Sequence, residues 1–90
     1  MMNIFDFTVK GQKTLQELPK KIQNRICKKL FEMKEHPDIF SILTVLVDYR
    51  AATHRLRVGS YRVILELTLQ TKIDTHFSVL EVGHRKDIYR

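Results

Sequence analysis

The sequence has few of the residues that hold small secreted or metal-dependent domains together. Its one cysteine, Cys27, cannot form an internal disulfide or hold a zinc ion alone. With no tryptophan, two prolines and three glycines, it does not look loop-rich or disordered. Its apolar runs are far shorter than the ~20 residues of a membrane span, and residues 1–9 are too short and mixed for a signal peptide. We therefore expect one soluble domain in a reducing compartment, the cytoplasm, with no membrane partner.

Positive charge is what the sequence has in excess. Sixteen lysines and arginines against ten carboxylates give a formal net charge of +6, and the isoelectric point is near 9.7. A surplus of this size favours an acidic partner, such as a nucleic acid or an acidic protein segment.

Apolar periodicity in the first half predicts one strand followed by two helices. Residues 3–8 alternate with a period of two, which is typical of a strand. Between residues 10 and 34 apolar side chains recur every three or four positions, which indicates amphipathic helices. Because Pro19 suits a first helical turn and disrupts a helix interior, we expect helices at about 10–18 and 19–34, folded into a hairpin. Cys27 of the second helix is interpreted as a small buried or half-buried hydrophobe.

The second half is rich in strands. Residues 41–47 are predicted as a weak strand or a loop, and stronger strands are predicted at 54–58, 61–69 and 73–82. No helical pattern separates these strands. The order therefore predicts a single α+β domain over residues 1–90. It has an N-terminal strand, a helical hairpin and then an antiparallel sheet, with the helices packed on one face of the sheet.

A Gly-Ser dipeptide at 59–60, between two alternating runs, predicts a two-residue hairpin turn. Counting outward from this turn pairs Arg57 with Arg62 and places Arg55 on the same face of the hairpin. Like charges directly opposite each other destabilise a sheet, so folding alone does not require this arrangement. A phosphate-binding site does, because guanidinium groups match phosphate oxygens. The alternative is a solvated face on which Glu66 lies near the arginines.

A second basic cluster follows the last predicted strand. Within residues 83–90 it combines a histidine and a tyrosine with three cations, Arg85, Lys86 and Arg90. Single-stranded RNA is recognised by such a combination, since cations bind its backbone and rings stack on its bases. We therefore expect Lys86 and Arg90 to bind RNA. The other histidines lack metal-ligand spacing, so neither a metal nor another cofactor is expected.

Two blocks of the sequence carry a family resemblance: HRLRVGSYRVILEL at residues 54–67 and VLEVGHRKDIYR at residues 79–90. They resemble the paired motifs of the RelE/ParE superfamily of toxin–antitoxin toxins, and LPKKIQNRICKKL at residues 18–30 resembles the helical pair of the same family. The resemblance spans nearly the whole chain and implies a RelE-like fold. It also implies a toxin that is neutralised by a cognate antitoxin, an acidic and partly disordered segment that folds on the toxin.

For the RelE-like branch, the resemblance implies cleavage of mRNA in the ribosomal A site without a metal, so the ribosome and mRNA are expected partners. The 2′-hydroxyl of the substrate attacks the neighbouring phosphodiester. The protein must remove a proton, stabilise charge on the phosphate and assist the leaving oxygen. Carried over to this chain, Arg62 and Arg85 bind the scissile phosphate, Arg55 binds the flanking backbone, and Tyr89 stacks on the nucleotide or orients it.

The chain departs from the family pattern at the general base. Arg57 stands where this branch often has a lysine, a glutamate or a histidine, and an arginine is a poor base because its guanidinium group keeps its proton. We interpret Arg57 as a residue that stabilises charge, and His84 as the group that handles a proton near neutral pH. The alternative is that His84 only packs or binds phosphate.

Two other functions remain open from the sequence. A ParE-like toxin, which poisons DNA gyrase without cutting RNA, shares the fold. Gyrase-directed members generally lack a basic cluster such as Arg57, Arg62, Arg85 and Tyr89, so the cluster favours the nuclease. The other alternative is a decayed relative that only binds its antitoxin, because the lysine-type base is missing.

Overall fold

The computed structural model describes residues 2–88, which form a five-stranded sheet with helices on both of its faces. The helices are α1 (Val9–Gln16), α2 (Lys20–Met33) and α3 (Arg85–Ile88), with a 3-10 helix at Ile39–Ser41. The strands are β1 (Met2–Phe7), β2 (Thr44–Val45), β3 (His54–Val58), β4 (Tyr61–Gln70) and β5 (Asp74–His84). They lie in the order β1-β5-β4-β3-β2. In this part of the chain, no helix is long and apolar enough to span a membrane.

The predicted order of elements is confirmed, and the predicted antiparallel pairing holds for β2 to β5. The sequence predicts no direction for β1, which pairs with β5 in parallel, from Met2 opposite Asp74 to Phe7 opposite Val79. Strands joined by a tight hairpin must be antiparallel, but β1 is connected to the rest of the sheet through α1 and α2. This long connection allows the parallel direction.

Helices α1 and α2 and the 3-10 helix cover one face of the sheet and bury the main core. The core side chains that are at most 2% exposed are Ile26, Ile39, Leu56, Val63, Leu65, Phe77 and Val79. Burying one such side chain fully stabilises the fold by about 1.5–3 kcal/mol. The apolar stripe predicted for the second helix is confirmed, but Cys27 is exposed, so the prediction that it is buried or half-buried is wrong. It lies beside Ile26 in sequence but about 100° further round the helix.

Two groups of hydrogen bonds fasten the helices to the sheet. Thr8 caps α1, because its hydroxyl accepts from the N–H of Gly11 (2.9 Å) and donates to the carbonyl of Val79 (3.1 Å). A side chain at Gly11 would overlap that carbonyl, so glycine allows α1 to approach β5 closely. At the end of α2, buried Asn3 donates to two backbone carbonyls and accepts from the hydroxyl of Thr75 (2.6 Å).

Candidate active site

The hairpin of β3 and β4 has the register that the sequence predicts. Arg57 and Arg62 are direct partners across its turn, and Gly59 in the turn has a φ of +60°, a conformation that favours glycine. Leu56 and Val63, the neighbouring pair, face the core under the helices. Because side chains alternate between the faces of a sheet, the two arginines face the opposite side, which we call the second face.

Arg62 is a buried cation on the second face. Its side chain is 7% exposed, and Nη1 donates to the carbonyls of Gly59 (3.0 Å) and Tyr61 (2.9 Å). Its buried Nε has no hydrogen-bond partner within residues 2–88. Among the described residues no carboxylate forms a salt bridge with Arg62, and Glu66, the acid expected on this face, forms none with either Arg57 or Arg62. Burying an unpaired charge is unfavourable, so this arrangement favours a site that an anion completes.

Arg85 lies beside the same turn, at the start of α3. Its backbone N–H donates to the carbonyl of Ser60 (2.8 Å), and its side chain is exposed. Gly83, two positions earlier, is the direct partner of Arg62 in β5. The hairpin turn therefore brings the backbone positions of Arg57, Arg62 and Arg85 close together, three of the residues singled out from the sequence.

The remaining cations lie further from this group or outside it. Arg55 is half-buried and pairs with Ile64, two positions along β3 from Arg57. Lys86 is exposed on α3. Tyr89 and Arg90, which the sequence also singles out, lie outside the described residues.

His84 lies on the helix-covered side of the sheet. It pairs with Tyr61, and the two rings meet edge to face with centroids 5.3 Å apart. Its Nδ1 accepts the N–H of Lys86 (3.1 Å), which satisfies one of the free donors at the start of α3. With Nδ1 accepting, Nε2 carries the hydrogen of the neutral ring and is a donor there. This geometry favours the alternative in which His84 packs, over removal of a proton beside Arg62.

The architecture matches solved structures of toxins. The similarity to a RelBE toxin–antitoxin complex from Mycobacterium tuberculosis has a TM-score of 0.75 and 22% identity, over 94% of this chain and 100% of that chain. A RelB–RelE antitoxin–toxin complex from Methanococcus jannaschii gives 0.66 and 25%, over 93% and 94%. A mutant of the Escherichia coli toxin RelE in the free state gives 0.63 and 23%, over 99% and 92%. The chain has the RelE fold.

The RelE-like fold recognised from the sequence motifs is thus confirmed. No protein-family model and no curated protein matches the sequence. Within residues 2–88 no three histidine, cysteine or carboxylate side chains are grouped so that they could hold a metal ion.

Three residues that form contacts at the second face of this RelE fold were missed by sequence reasoning. Tyr49, in the loop between β2 and β3, donates its hydroxyl hydrogen to the carbonyl of Ile88 (3.0 Å). Lys10 and Glu81 form a salt bridge (3.3 Å), and Glu81 pairs with Ile64, the position two residues after Arg62. Aligning β5 against β4 in the sequence would have placed Glu81 on this face. In contrast, no pattern in the sequence connects Tyr49 with Ile88 of α3.

Proposed function

We propose that this chain is the toxin of a type II toxin–antitoxin system and that it cleaves mRNA on the ribosome. The observation that carries the proposal is the buried side chain of Arg62 beside Arg57 and Arg85 at the hairpin turn of a RelE fold. The Nε of Arg62 has no hydrogen-bond partner in the described part of the chain. An uncompensated buried arginine does not help folding, whereas a phosphate would pair with it through charge-assisted hydrogen bonds.

The chemistry proposed for this site uses the 2′-hydroxyl of the substrate as the nucleophile. The bond between O2′ and phosphorus forms as the bond between phosphorus and the next 5′-oxygen breaks, which leaves a 2′,3′-cyclic phosphate and a 5′-hydroxyl. The oxygens of the phosphate gain negative charge along the way. Arg62, fixed by two turn carbonyls, is preorganised to stabilise that charge, and the exposed side chains of Arg57 and Arg85 add to it.

The other predicted residues act on the rest of the RNA in this proposal. Arg55 and Lys86 bind flanking phosphates, and Tyr89 and Arg90 contact the nucleotide itself. An acidic antitoxin segment is the expected protein partner, since similar solved structures are complexes with antitoxins and this chain carries a net charge of +6.

The test is inducible expression of the wild type beside an Arg62→Ala/Arg85→Ala double variant, with primer extension on a translated mRNA. We expect new 5′ ends that require both translation and the two arginines. The matched control is Lys20→Ala/Lys21→Ala, which removes two exposed cations from α2 and should cut like the wild type.

The outcomes separate the three functions considered for this chain. New 5′ ends of wild-type intensity from the arginine variant would contradict the proposed site. Toxicity without new ends, accompanied by DNA damage or stalled replication, would support a ParE-like gyrase poison. A folded, soluble and harmless wild type would favour a relative that only binds its antitoxin.

The pH profile of cleavage tests the general base. His84→Gln retains an acceptor at the start of α3, so the variant should fold normally and, from the position of the ring, keep the shape of the wild-type profile. A flattened profile would assign proton transfer to His84. Glu81→Gln is the companion variant, because Glu81 is a carboxylate on the second face near Arg62 in register. A profile that flattens only in this variant would assign the base to Glu81.

A further inference from the structure

A second basic feature lies on the helix side of the hairpin turn. Here α2 and the end of β3 enclose a cleft of about 300 Å³, lined by four cations, one carboxylate and two residues of the hairpin. The lining residues are Arg25, Lys28, Lys29, Glu32, Arg57, Val58 and Gly59. Of these, only Arg57 belongs to the proposed catalytic group.

The cations of α2 meet in this cleft because of their spacing. Arg25, Lys29 and Glu32 are separated by four and three positions, so they lie along one side of the helix, next to the buried stripe. Among residues 2–88 no carboxylate forms a salt bridge with Arg25, Lys28 or Lys29. Glu32 contributes one negative charge against four positive charges in the lining. Folding gains nothing from such an imbalance, because like charges at this spacing repel.

Arg25 connects this cleft to the hairpin turn. A Cβ added to Gly59 would lie 2.5 Å from an Nη of Arg25 and 3.0 Å from its Cζ, so the guanidinium group lies against the turn backbone. The carbonyl of the same Gly59 accepts the hydrogen bond from Arg62 on the second face. Positive charge therefore surrounds the turn from both sides of the sheet.

The outer edge of β3 is where the two sides meet. β2 pairs only with the first two residues of β3, His54 and Arg55, and leaves the edge beside Arg57 without a strand partner among the described residues. The side chain of Arg57 starts from the second face, but it is exposed at this edge and also lines the cleft, whereas its β4 partner Arg62 does not. A polyanion that contacts Arg57 can thus extend from the cleft on the helix side to the second face of the sheet.

We propose that this cleft binds backbone phosphates of RNA that lie outside the scissile bond, either in the flanking substrate strand or in ribosomal RNA. Clustered cations bind a phosphate backbone mainly by releasing its counterions, which needs several unpaired cations and no particular base sequence. The inference rests on the proposed function because it requires RNA as the ligand, but it does not require the protein to cleave that RNA.

Two binding measurements test the cleft. The first is fluorescence anisotropy with a single-stranded RNA that carries 2′-O-methyl groups and so cannot be cut, and the second is co-sedimentation with ribosomes, both over a series of salt concentrations. The cleft variant is Arg25→Ala/Lys28→Ala/Lys29→Ala. Its matched control, Lys13→Ala/Lys20→Ala/Lys21→Ala, loses the same charge from exposed positions outside the cleft. Circular dichroism and thermal melting confirm that both variants fold.

Each phosphate contact that is lost lowers the slope of log affinity against log salt by about 0.7 for a single strand. We expect the cleft variant to lose about two contacts, which corresponds to roughly tenfold weaker binding at about 0.2 M salt. The affinity of the control variant for RNA should fall by less than about threefold, because only long-range attraction is reduced. Glu32→Gln removes the carboxylate of the cleft and should strengthen binding.

Weaker binding to the single strand assigns the phosphates to the substrate strand, and weaker binding confined to ribosomes assigns them to ribosomal RNA. Equal behaviour of the cleft variant and its control in both measurements would overturn the proposal. So would a cleft variant that loses binding to polyglutamate but keeps full affinity for RNA, because the occupant would then be an acidic protein. Failure of the proposed function is distinct: the wild type would bind RNA yet make no cuts in the primer-extension assay.

Discussion

The two faces of the sheet have opposite energetic characters. The helix-covered face removes apolar side chains such as Leu65 and Phe77 from water, and both are at most 1% exposed. The second face buries a smaller apolar cluster around Ile64 and Ile88, and beside it lies Arg62, whose Nε has no hydrogen-bond partner among the described residues. The first arrangement stabilises the fold, whereas the second destabilises it. Stability gained under the helices therefore supports an arrangement of charge on the second face that folding alone would not form.

The largest expected effect is on the stability contributed by the helix-covered face. Leu65 is completely buried, so Leu65→Ala should lower the free energy of unfolding by about 2–5 kcal/mol. That is a large part of the roughly 5–15 kcal/mol that stabilises a small domain. Leu69→Ala is the control, because Leu69 is 50% exposed and should contribute less than about 1 kcal/mol. Urea unfolding followed by circular dichroism measures the stability of both variants. Equal urea midpoints would contradict the conclusion that Leu65 belongs to the core and Leu69 does not.

Arg62→Met should separate activity from stability on the second face. If the chain has the proposed activity, loss of a preorganised charge-stabilising group should lower mRNA cleavage by about 10²–10³-fold. The free energy of unfolding should stay the same or rise, because an apolar side chain replaces a buried cation that has no carboxylate partner among residues 2–88. Primer extension and urea unfolding on the same preparation measure the two effects. A drop in unfolding free energy of more than about 2 kcal/mol would identify Arg62 as a structural residue instead.

Tyr49→Phe tests whether the loop between β2 and β3 fastens α3 to the second face. Tyr49 donates to the carbonyl of Ile88, and its neighbours Asp48 and Arg50 have φ values of 56° and 54°, which are unfavourable for residues other than glycine. Removing the hydroxyl should lower the free energy of unfolding by about 0.5–1.5 kcal/mol.

The Tyr49→Phe measurement is informative because it shows which elements of the fold lose stability. Hydrogen exchange should become faster in α3 than in β4, because the deleted hydrogen bond holds α3. Cleavage should fall by more than the lost stability explains, since α3 begins with Arg85. Faster exchange spread evenly over the sheet would show that the loop supports the whole fold and not this helix.

How far the fold is predictable from the sequence depends on the distance between paired elements. The register of β3 against β4 follows by counting, because a two-residue turn fixes which residues are opposite each other. The direction of β1 does not follow, because its partner β5 lies at the far end of the sequence and no local pattern encodes parallel pairing. Buried Asn3 and Thr75 belong to the same long-range contact and read as ordinary surface residues in the sequence.

The candidate site is predictable by residue type but not by the face on which each residue lies. Arg57 and Arg62 could be placed together because the turn relates them directly. His84 is next to Arg85 in the sequence, yet pairing with Tyr61 turns its ring toward the helices, and this pairing depends on the register of β5. The contribution of Tyr49 is invisible in the sequence because its partner is a backbone carbonyl, which every residue has.

The smallest expected effect concerns His54, which lies among aromatic rings on the helix-covered face. Its ring centroid is 5.5 Å from that of Phe40 and 6.0 Å from that of Phe77, and Nδ1 lies 2.8 Å from the hydroxyl of Thr53. Desolvation by burial lowers the pKa of His54 below the ordinary value of 6.5. The folded state therefore binds this proton less tightly than the unfolded state. As a result, the contribution of His54 to the free energy of unfolding should be greatest above pH 6.5 and decrease as the pH falls below it.

An NMR titration of the imidazole signals measures this pKa directly, and the midpoint for His54 should lie below 6.5. His54→Phe should remove this part of the pH dependence of unfolding while the new ring still packs against Phe40 and Phe77. His76→Phe, on β5, is the control and should leave that part in place. A midpoint at or above 6.5 would mean that water or an acceptor stabilises the imidazolium beneath the helices. The helix-covered face would then accommodate a charge as readily as the second face does. The two faces would differ less in their tolerance of charge than the burial of their side chains indicates.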